Sequence, residues 1–442
     1  MTDGAVPATV RSPAYVNYVL CLIFLVAAFN VCDRTIVSVL VDDIKRDLAL
    51  DDRQMGLVMG FAFSLTYLLA GIPIARLADR YSRPRIIAAA LFGWSLMTAL
   101  SGAAQNFVQL ALTRMGVGIG EAGGSPPSHS LLTDYVPPAR RARAMSLLSI
   151  GALVGMGGGV IYGGWASEQF GWRLALVSVG LPGLVLALVF LFTVDELPRR
   201  PADAPGVDEF TGKSLGGVLW QLARTPAFVW LTLGATFVTV VAMGRNFWEP
   251  TFLRRVYGMD AAEAGLWYAL ISPVPAALGT YLCAWITDRL AQRDRRWYGW
   301  FPALCALLLV PLGLAFYLAP ADVLAGGVPV GFYFSVAASL VGAGWAPATM
   351  AVAQGLVPPS ARAVTAASWS MIASFVGTGL GPLLVGDLNM RLEPRYGEEA
   401  VRWSLVAVSV LPLLAAASYL LLARSLFPDP SRSKPQCPDP CV

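Results

Sequence analysis

The sequence predicts an all-α membrane protein whose twelve spanning helices form two similar halves. Three observations support this fold class: a low charge content, long apolar segments, and motifs that occur twice. Of the 442 residues, 56% are hydrophobic and only 14% are charged. Soluble globular proteins carry about 25% charged residues, so this chain has too few to cover a water-facing surface. The mean hydropathy of +0.61 points the same way.

Apolar segments long enough to cross a bilayer follow one another along the chain. A helix needs about 20 apolar residues to cross about 30 Å of hydrocarbon. The predicted spans are 15–40, 54–78, 85–104, 107–134, 144–166, 172–194, 226–252, 263–286, 299–319, 329–355, 363–386 and 402–424. We therefore predict an N-terminal six-helix bundle at 1–194, a cytoplasmic linker at 195–225, a C-terminal bundle at 226–424 and a cytoplasmic tail at 425–442.

The distribution of basic residues predicts the orientation of these spans. With the N-terminus inside, 20 of the 32 Lys and Arg residues lie in cytoplasmic segments, and 9 lie in outer segments. Short cytoplasmic loops of membrane proteins are enriched in Lys and Arg. We therefore predict an integral protein of the inner or plasma membrane with both termini in the cytoplasm.

Three motifs recur in the same order in the two halves, which indicates an internal duplication typical of transporters. The motif pairs are Asp79-Arg80-x-x-Arg83 and Asp288-Arg289, Val136-Pro137-Pro138 and Val357-Pro358-Pro359, and the glycine runs at 155–159 and 377–381. Paired prolines end a helix because they supply no N–H. Glycines let helix backbones approach closely, so these runs are either packing sites or part of a gate.

The Asp-Arg motifs are candidates for gating. A carboxylate at a helix mouth pairs with nearby arginines and with a helix N-terminus, so such a contact can hold one conformation and release it in another. Enrichment of Arg on the cytoplasmic side explains Arg80, Arg83 and Arg289, but it does not explain Asp79 and Asp288 at matched positions.

Four charged residues fall inside otherwise apolar spans: Asp33, Arg34, Arg114 and Glu121. A charge at membrane depth costs about 2.5 to 3.5 kcal/mol even on lenient scales, so these groups must pair or face a wet cavity. At about 1.5 Å rise per residue, Asp33, Arg34 and Arg114 reach similar depth. Glu121 follows Arg114 by two helical turns, so it shares its face and lies nearer the midplane.

These motifs resemble those of a known family. The Asp-Arg loops resemble the signature loop of the major facilitator superfamily, and Asn30-x-x-Asp33-Arg34 with Arg114-x-Gly116-x-Gly118-x-Gly120-Glu121 resembles the spinster family of that superfamily. The resemblance implies two pseudo-symmetric six-helix bundles around a central cavity. It also implies a monomer that transports sphingolipids or lysolipids. Gly123 and Gly124 stand where that family has bulkier residues.

The intramembrane charges favour a proton-coupled secondary transporter of an amphipathic anion that works by alternating access. In this hypothesis Asp33 and Glu121 bind the proton. The substrate binds to Arg34, Arg114 and Glu121. The two arginines suit an anionic headgroup, because guanidinium groups match phosphate and carboxylate geometry. The alternative is a static ion-pair network that only fixes the packing of the helices.

Two further positions and one segment allow more than one interpretation. Arg245 and Glu249 form an i, i+4 pair that is either a surface helix pair or an outer gate. The lone His129 is either a proton relay or a residue without a role in transport. The acidic stretch 41–53 is predicted to be a solvated outer loop.

Other function classes fit the sequence less well. Efflux of drug-like or small organic anions remains an alternative within transport. An enzyme is disfavoured because the sequence has one His, no phosphate-binding loop and no metal-ligand cluster. A receptor is disfavoured because no large extramembrane domain is present. We expect no cofactor, no nucleic acid and no resident metal. The expected partners are a small amphipathic or lipid substrate, protons and membrane lipids.

Overall fold

A computed structural model describes residues 12–137, 140–197, 220, 222, 224–356 and 362–426. The helices are, in order, α1 (Pro13–Val39), α2 (Val41–Leu48), α3 (Asp52–Gly56), α4 (Phe63–Arg80), α5 (Arg83–Ser101), α6 (Phe107–Glu121), α7 (Ser125–Tyr135), α8 (Arg141–Thr193), α9 (Pro226–Tyr257), α10 (Ala261–Ile271), α11 (Pro273–Ala291), α12 (Trp297–Leu318), α13 (Val330–Gly342), α14 (Trp345–Gly355), α15 (Arg362–Tyr396), α16 (Ala400–Val408) and α17 (Pro412–Leu426). A π-helical segment, Leu57–Ala62, joins α3 to α4, and Gly397–Glu399 is a 3-10 turn. The strands β1 (Leu324–Ala325) and β2 (Val328–Pro329) form an antiparallel hairpin.

Each of the twelve predicted spans is helical in the described residues, so the predicted fold class is confirmed. Within the part of the chain that the structure describes, nine helical runs are long and apolar enough to cross a membrane; they overlap eleven of the predicted spans, because two of the runs contain two spans each. In α8 the two spans meet at Gly171, whose φ of 80° is a left-handed conformation that favours glycine. The fourth span is divided at 122–124 into α6 and α7.

Side-chain caps define several helix starts near the ends of spans. The Ser12 hydroxyl accepts a hydrogen bond from the Tyr15 N–H at 3.3 Å at the start of α1. Asn106 caps α6 in the same way through the Gln109 N–H at 3.0 Å. Such caps satisfy backbone donors that have no partner inside the helix, and they fix where each helix begins.

One compact unit, unit 1, consists of the described parts of Met1–Gly206, Gly244–Val274 and Thr378–Ser404. Its core contains apolar side chains of α1, α5 and α8, among them Ile23, Leu91 and Phe190. Unit 1 therefore includes segments of the predicted C-terminal bundle as well as the predicted N-terminal bundle. The domain boundaries at 194 and 226 stay a prediction.

The second compact unit, unit 2, consists of the described parts of Val207–Met243, Pro275–Gly377 and Leu405–Val442. Its largest core cluster includes Leu231, Ala306, Tyr419 and Leu422, from α9, α12 and α17. Most of the predicted linker, and the tail from residue 427 on with Cys437 and Cys441, lie outside the described residues.

The repeated glycines of α8 allow two helices of unit 1 to pack closely. A Cβ atom at Gly155 would overlap the backbone carbonyl oxygen of Ala28, and one at Gly159 would lie 3.0 Å from the Cα of Cys32. The predicted close approach of backbones at this motif is therefore confirmed. A role of the motif in gating stays a prediction.

Large apolar side chains point outward along the spans, as expected of a lipid-facing surface. Phe192 is 80% exposed, and Leu69, Val108 and Leu278 are also exposed. Water-soluble monomers rarely expose apolar patches of this extent, whereas hydrocarbon accommodates them.

The prediction of a solvated loop at 41–53 is wrong. Residues Val41–Leu48 form α2, whose Val41 and Ile44 are fully buried, and Asp52 at the start of α3 is 2% exposed. The segment is held in place by arginines that are distant in sequence, as described below. A local pattern of apolar and acidic residues cannot reveal such partners.

Candidate functional site

Two of the predicted intramembrane charges form a direct ion pair inside unit 1. Arg34 on α1 donates from Nη2 to Oε2 of Glu121, the last residue of α6. Glu121 is fully buried, whereas the Arg34 side chain is 27% exposed. The guanidinium carbon of Arg34 also lies 4.4 Å from the ring centroid of Phe63. Arg34 therefore has a paired side, a stacked face and an accessible part that another anion can reach.

The other two predicted charges, Asp33 and Arg114, are adjacent but do not form an ion pair in the described structure. Arg114 donates from Nη1 to the backbone carbonyl of Asp33 at 3.0 Å and from Nη2 to the hydroxyl of Ser101 at 3.1 Å. Asp33 is fully buried and Arg114 is 3% exposed. The predicted cluster of two carboxylates and two guanidiniums is thus brought together.

Several carboxylate oxygens of this cluster have no hydrogen-bond partner of ordinary geometry among the described residues. These are both oxygens of Asp33 and Oε1 of Glu121. The indole of Trp94 nevertheless lies close enough to Asp33 for a side-chain hydrogen bond of poorer geometry. Buried polar groups nearly always have a hydrogen-bond partner, so buried carboxylate oxygens of this kind are unusual.

Close packing by glycine places Glu121 at this cluster. On α6, a Cβ atom at Gly118 would clash with the backbone of Phe63, and one at Gly120 would lie 2.7 Å from the backbone nitrogen of Trp94. Helix α6 therefore lies tightly between α4 and α5. The break at 122–124 follows Glu121 directly, and the π-helical segment Leu57–Ala62 directly precedes Phe63. Such π-helical segments are frequent at functional sites.

Of the first predicted gating loop, only Arg83 has a described ion-pair network. Its Nη1 lies 2.5 Å from Oδ2 of Asp134, and its Nη2 lies 2.7 Å from Oε1 of Glu196. Arg80 is exposed, and the side chain of Asp79 lies outside the described residues. The sequence contained no local signal that Glu196, in the predicted linker, is a partner of Arg83.

The matching loop of the second half is exposed. Asp288 and Arg289 both face outward, and the Arg289 guanidinium carbon lies 4.0 Å from the ring centroid of Trp285. Among the described residues, neither side chain makes an ion pair. Their role in gating stays a prediction.

Arg245 and Glu249 form the predicted i, i+4 pair, but the interpretation as a surface pair is wrong. Arg245 donates from Nη2 to Oε1 of Glu249 at 2.7 Å. Glu249 is fully buried and the Arg245 side chain is 12% exposed. The spacing places Arg245 and Glu249 on one face of α9, but it did not decide whether that face is covered. His129 is exposed, with Nδ1 lying 2.8 Å from the Ser125 carbonyl.

An ion-pair network that the sequence did not reveal lies where α2 and α3 meet the end of α9. We call it the Asp52 clasp; it consists of Asp42, Lys45, Asp52, Arg255 and Asn389. Arg255 donates to Asp52 at 2.7 and 3.0 Å and to Asp42 at 2.9 and 2.7 Å. Lys45 lies 2.7 Å from Asp52, and Asn389 donates to Asp52 at 3.0 Å.

Arg254 strengthens the same region. It donates to the carbonyl of Val39 at 2.9 Å and to both carboxylate oxygens of Asp43 at 3.0 and 3.2 Å. Adjacent arginines at the end of α9 and paired aspartates in α2 were the only sequence signal, and it did not specify a contact between them.

Comparison with known proteins agrees with this architecture. The family model of the Major Facilitator Superfamily matches residues 23–382. The chain is 33% identical over 398 residues to an MFS-type efflux pump of Mycolicibacterium smegmatis, covering 90% of each chain. It is 27% identical over 460 residues to human protein spinster homolog 1, covering 98% of this chain and 85% of that protein.

A solved structure shows a similar fold over nearly the same length. It is the crystal structure of a bacterial homologue of the human lysosomal transporter Spinster in an inward-facing, unoccupied conformation. The TM-score is 0.82 at 30% sequence identity, over 94% of this chain and 98% of that chain. The protein is an integral membrane protein with the fold of a transporter. The chain belongs to the major facilitator superfamily, as a spinster-type transporter.

Proposed function

We propose that the protein is a proton-coupled secondary transporter of an amphipathic anion that works by alternating access. The observation that carries this proposal is the pairing of a fully buried Glu121 with a partly exposed Arg34, beside the Asp33 carboxylate, which has no hydrogen-bond partner of ordinary geometry among the described residues. A static packing network would leave fewer buried acceptors vacant, because such vacancies cost free energy.

Competition for Arg34 supplies a coupling mechanism. An anionic headgroup that binds Arg34 competes with Glu121 for the positive charge of the guanidinium, and it displaces Glu121 when it takes over the Nη2 donor. The released carboxylate then lies buried without a counter-charge, and it takes up a proton instead of remaining charged. Asp33 provides a second proton acceptor one residue from Arg34 on α1.

The substrate class follows from the chemistry of Arg34 and from the family. A guanidinium stacked on Phe63 suits a phosphate or carboxylate next to an apolar group. The spinster resemblance favours a lysolipid or sphingolipid-like anion. Efflux of drug-like or small organic anions is the second candidate, and the 33% identity to an MFS-type efflux pump supports it.

Replacing Asp33 by Asn tests the coupling. In liposomes with an imposed pH gradient, we expect D33N to lose gradient-driven uptake while substrate exchange at equal pH persists, because the variant lacks one of the two proton acceptors but keeps the arginines that bind the anion. The substrates to compare are an anionic lysolipid, a sphingoid phosphate and a panel of drugs. Asp322, which is exposed, provides the control variant D322N. Gradient-dependent uptake by D33N at the wild-type level would refute the assignment of Asp33.

The Asp52 clasp is the second part of the proposal. It joins α2 and α3 of the first sequence half to α9 and α15 of the second, all within unit 1. Any transition that separates these helices must break it. We assign to the clasp the role of a gate at the end of unit 1 where α2 and α3 meet the end of α9.

Removing Arg255 is expected to favour the conformation in which α2 and α3 are separated from α9 and α15. Truncating one partner of a buried charge pair costs about 3 to 5 kcal/mol. Lys45 and Asn389 still contact Asp52 and compensate a part of this cost. The population ratio of the closed to the open conformation should therefore fall by at least about tenfold. Spin labels at Arg46 and Glu398, both exposed, report the separation by electron paramagnetic resonance in a variant without native cysteines. We expect R255A to populate longer distances.

Arg391 provides the matched control. It pairs with Asp387 at 2.8 Å, but its side chain is 70% exposed, so R391A should leave the distance distribution unchanged. An R255A distribution identical to the wild type in the presence and absence of substrate would exclude the clasp as a gate.

A further inference from the structure

The buried hydroxyl of Ser101, at the end of α5, contacts the guanidinium of Arg114. It accepts a hydrogen bond from Nη2 of Arg114 at 3.1 Å. It also lies 2.8 Å from the Met97 carbonyl and 2.9 Å from the hydroxyl of Thr113. The Thr113 hydroxyl donates to the Leu110 carbonyl, so the single proton of Ser101 points away from Arg114. Ser101 is thereby fixed as an acceptor for the guanidinium.

Arg114 donates hydrogen bonds to two neutral oxygens, although the carboxylate of Asp33 is adjacent. Its Nη1 is bonded to the backbone carbonyl of Asp33, while both carboxylate oxygens of the same residue have no hydrogen-bond partner of ordinary geometry among the described residues. A buried guanidinium is expected to pair with the nearest carboxylate, since charge-assisted hydrogen bonds are about twice as strong as neutral ones. Another contact must therefore hold the guanidinium of Arg114 on the two neutral oxygens.

We propose that Ser101 is a positioning residue that holds Arg114 away from the carboxylate of Asp33 and so keeps Asp33 available to bind a proton. This inference rests on the proposed role of Asp33 in proton coupling. Without the hydroxyl, Nη2 of Arg114 loses its acceptor in a fully buried site. The guanidinium then turns to the carboxylate of Asp33, which becomes fixed in its charged form.

Labelling by dicyclohexylcarbodiimide tests this without a transport assay, because the reagent adds to protonated carboxyl groups in apolar surroundings. In purified protein at one mildly acidic pH, peptide mass spectrometry measures labelling at Asp33. We expect S101A to reduce labelling at least about fivefold, because an adjacent guanidinium favours the charged carboxylate. Ser101→Thr retains a hydroxyl and should restore labelling. The elution profile of each variant in size-exclusion chromatography checks that it is folded.

Two further variants separate positioning from a loss of packing. S101A combined with Arg114→Gln should regain labelling, since the guanidinium that captures Asp33 is gone. Ser95→Ala removes an equally buried hydroxyl from the same helix, one that has no partner among the described residues, and should leave labelling unchanged. Absence of labelling at Asp33 in the wild type, unchanged labelling in S101A, or an equal loss in S95A would each overturn the inference.

The same variants distinguish this inference from the proposed function. If D33N retains gradient-driven uptake while S101A still suppresses labelling of Asp33, the coupling role is wrong and the positioning role holds. If D33N abolishes coupling but S101A leaves labelling unchanged, the proposed function stands and Ser101 is only a packing residue.

Discussion

Replacing Arg34 by alanine is expected to destabilise the protein and to abolish transport. Glu121 is fully buried, and Oε1 already has no partner of ordinary geometry among the described residues. R34A leaves this carboxylate without its described counter-charge, and such truncations cost about 3 to 5 kcal/mol. The midpoint of thermal unfolding in detergent should therefore fall. Uptake of an anionic lysolipid should fall by roughly 100-fold, the equivalent of about 3 kcal/mol of lost binding energy.

A double variant separates the two effects of this substitution. Arg34→Met together with Glu121→Gln removes both charges, and replacing a whole buried pair is often neutral for stability. We therefore expect the double variant to regain most of the unfolding midpoint while uptake stays lost. Normal transport by the double variant would show that neither charge serves substrate or proton binding.

Arg83→Ala is the second substitution for which we expect a large effect. The Arg83 side chain is 4% exposed and joins α7 to the segment that follows α8. It donates to Ser130 at 2.9 Å, to Glu196 at 2.8 Å and to the Leu197 carbonyl at 3.1 Å. R83A leaves Asp134, only 5% exposed, without its described counter-charge. Unfolding should become easier by about 3 to 5 kcal/mol, and the unfolding midpoint in detergent measures this change.

Arg85 provides the control for this prediction because it lies two residues away and is exposed. R85A should change stability by less than about 0.5 kcal/mol, as surface substitutions usually do. Arg83→Lys retains the charge but not the planar fork of donors, so it should recover only part of the lost stability. Equal unfolding midpoints for R83A and R85A would contradict the assignment of Arg83 as a buried network residue.

The intramembrane cluster was predictable from the sequence for an energetic reason. Charges in hydrocarbon are so unfavourable that Arg34 and Glu121 had to find partners, and each apolar span contributed few candidates. Helical spacing then placed Arg114 and Glu121 on one face. The pairing within the cluster was not predictable. Arg34 bonds Glu121 rather than Asp33, and Arg114 bonds a backbone carbonyl and Ser101.

The Asp52 clasp shows the opposite case. Asp52 and Arg255 are 203 residues apart, and each lies in a segment that is typical of a solvated surface. Burial of Arg245 with Glu249 was equally undecidable, because helical spacing places the two side chains together without showing whether another helix covers them. Local patterns specify a helix and its polarity but not which other helix covers it.

The sequence by itself determined that this is a membrane protein of twelve helical spans built by duplication, and it identified the four charges that had to meet. These properties depend on the solvation of single residues and on the length of apolar segments, which are local quantities. Only the tertiary structure decided which carboxylates lack a hydrogen-bond partner of ordinary geometry among the described residues, which arginine is partly exposed and which aspartates pair with Arg255. Those outcomes depend on contacts between segments that are distant in sequence, which local patterns do not specify.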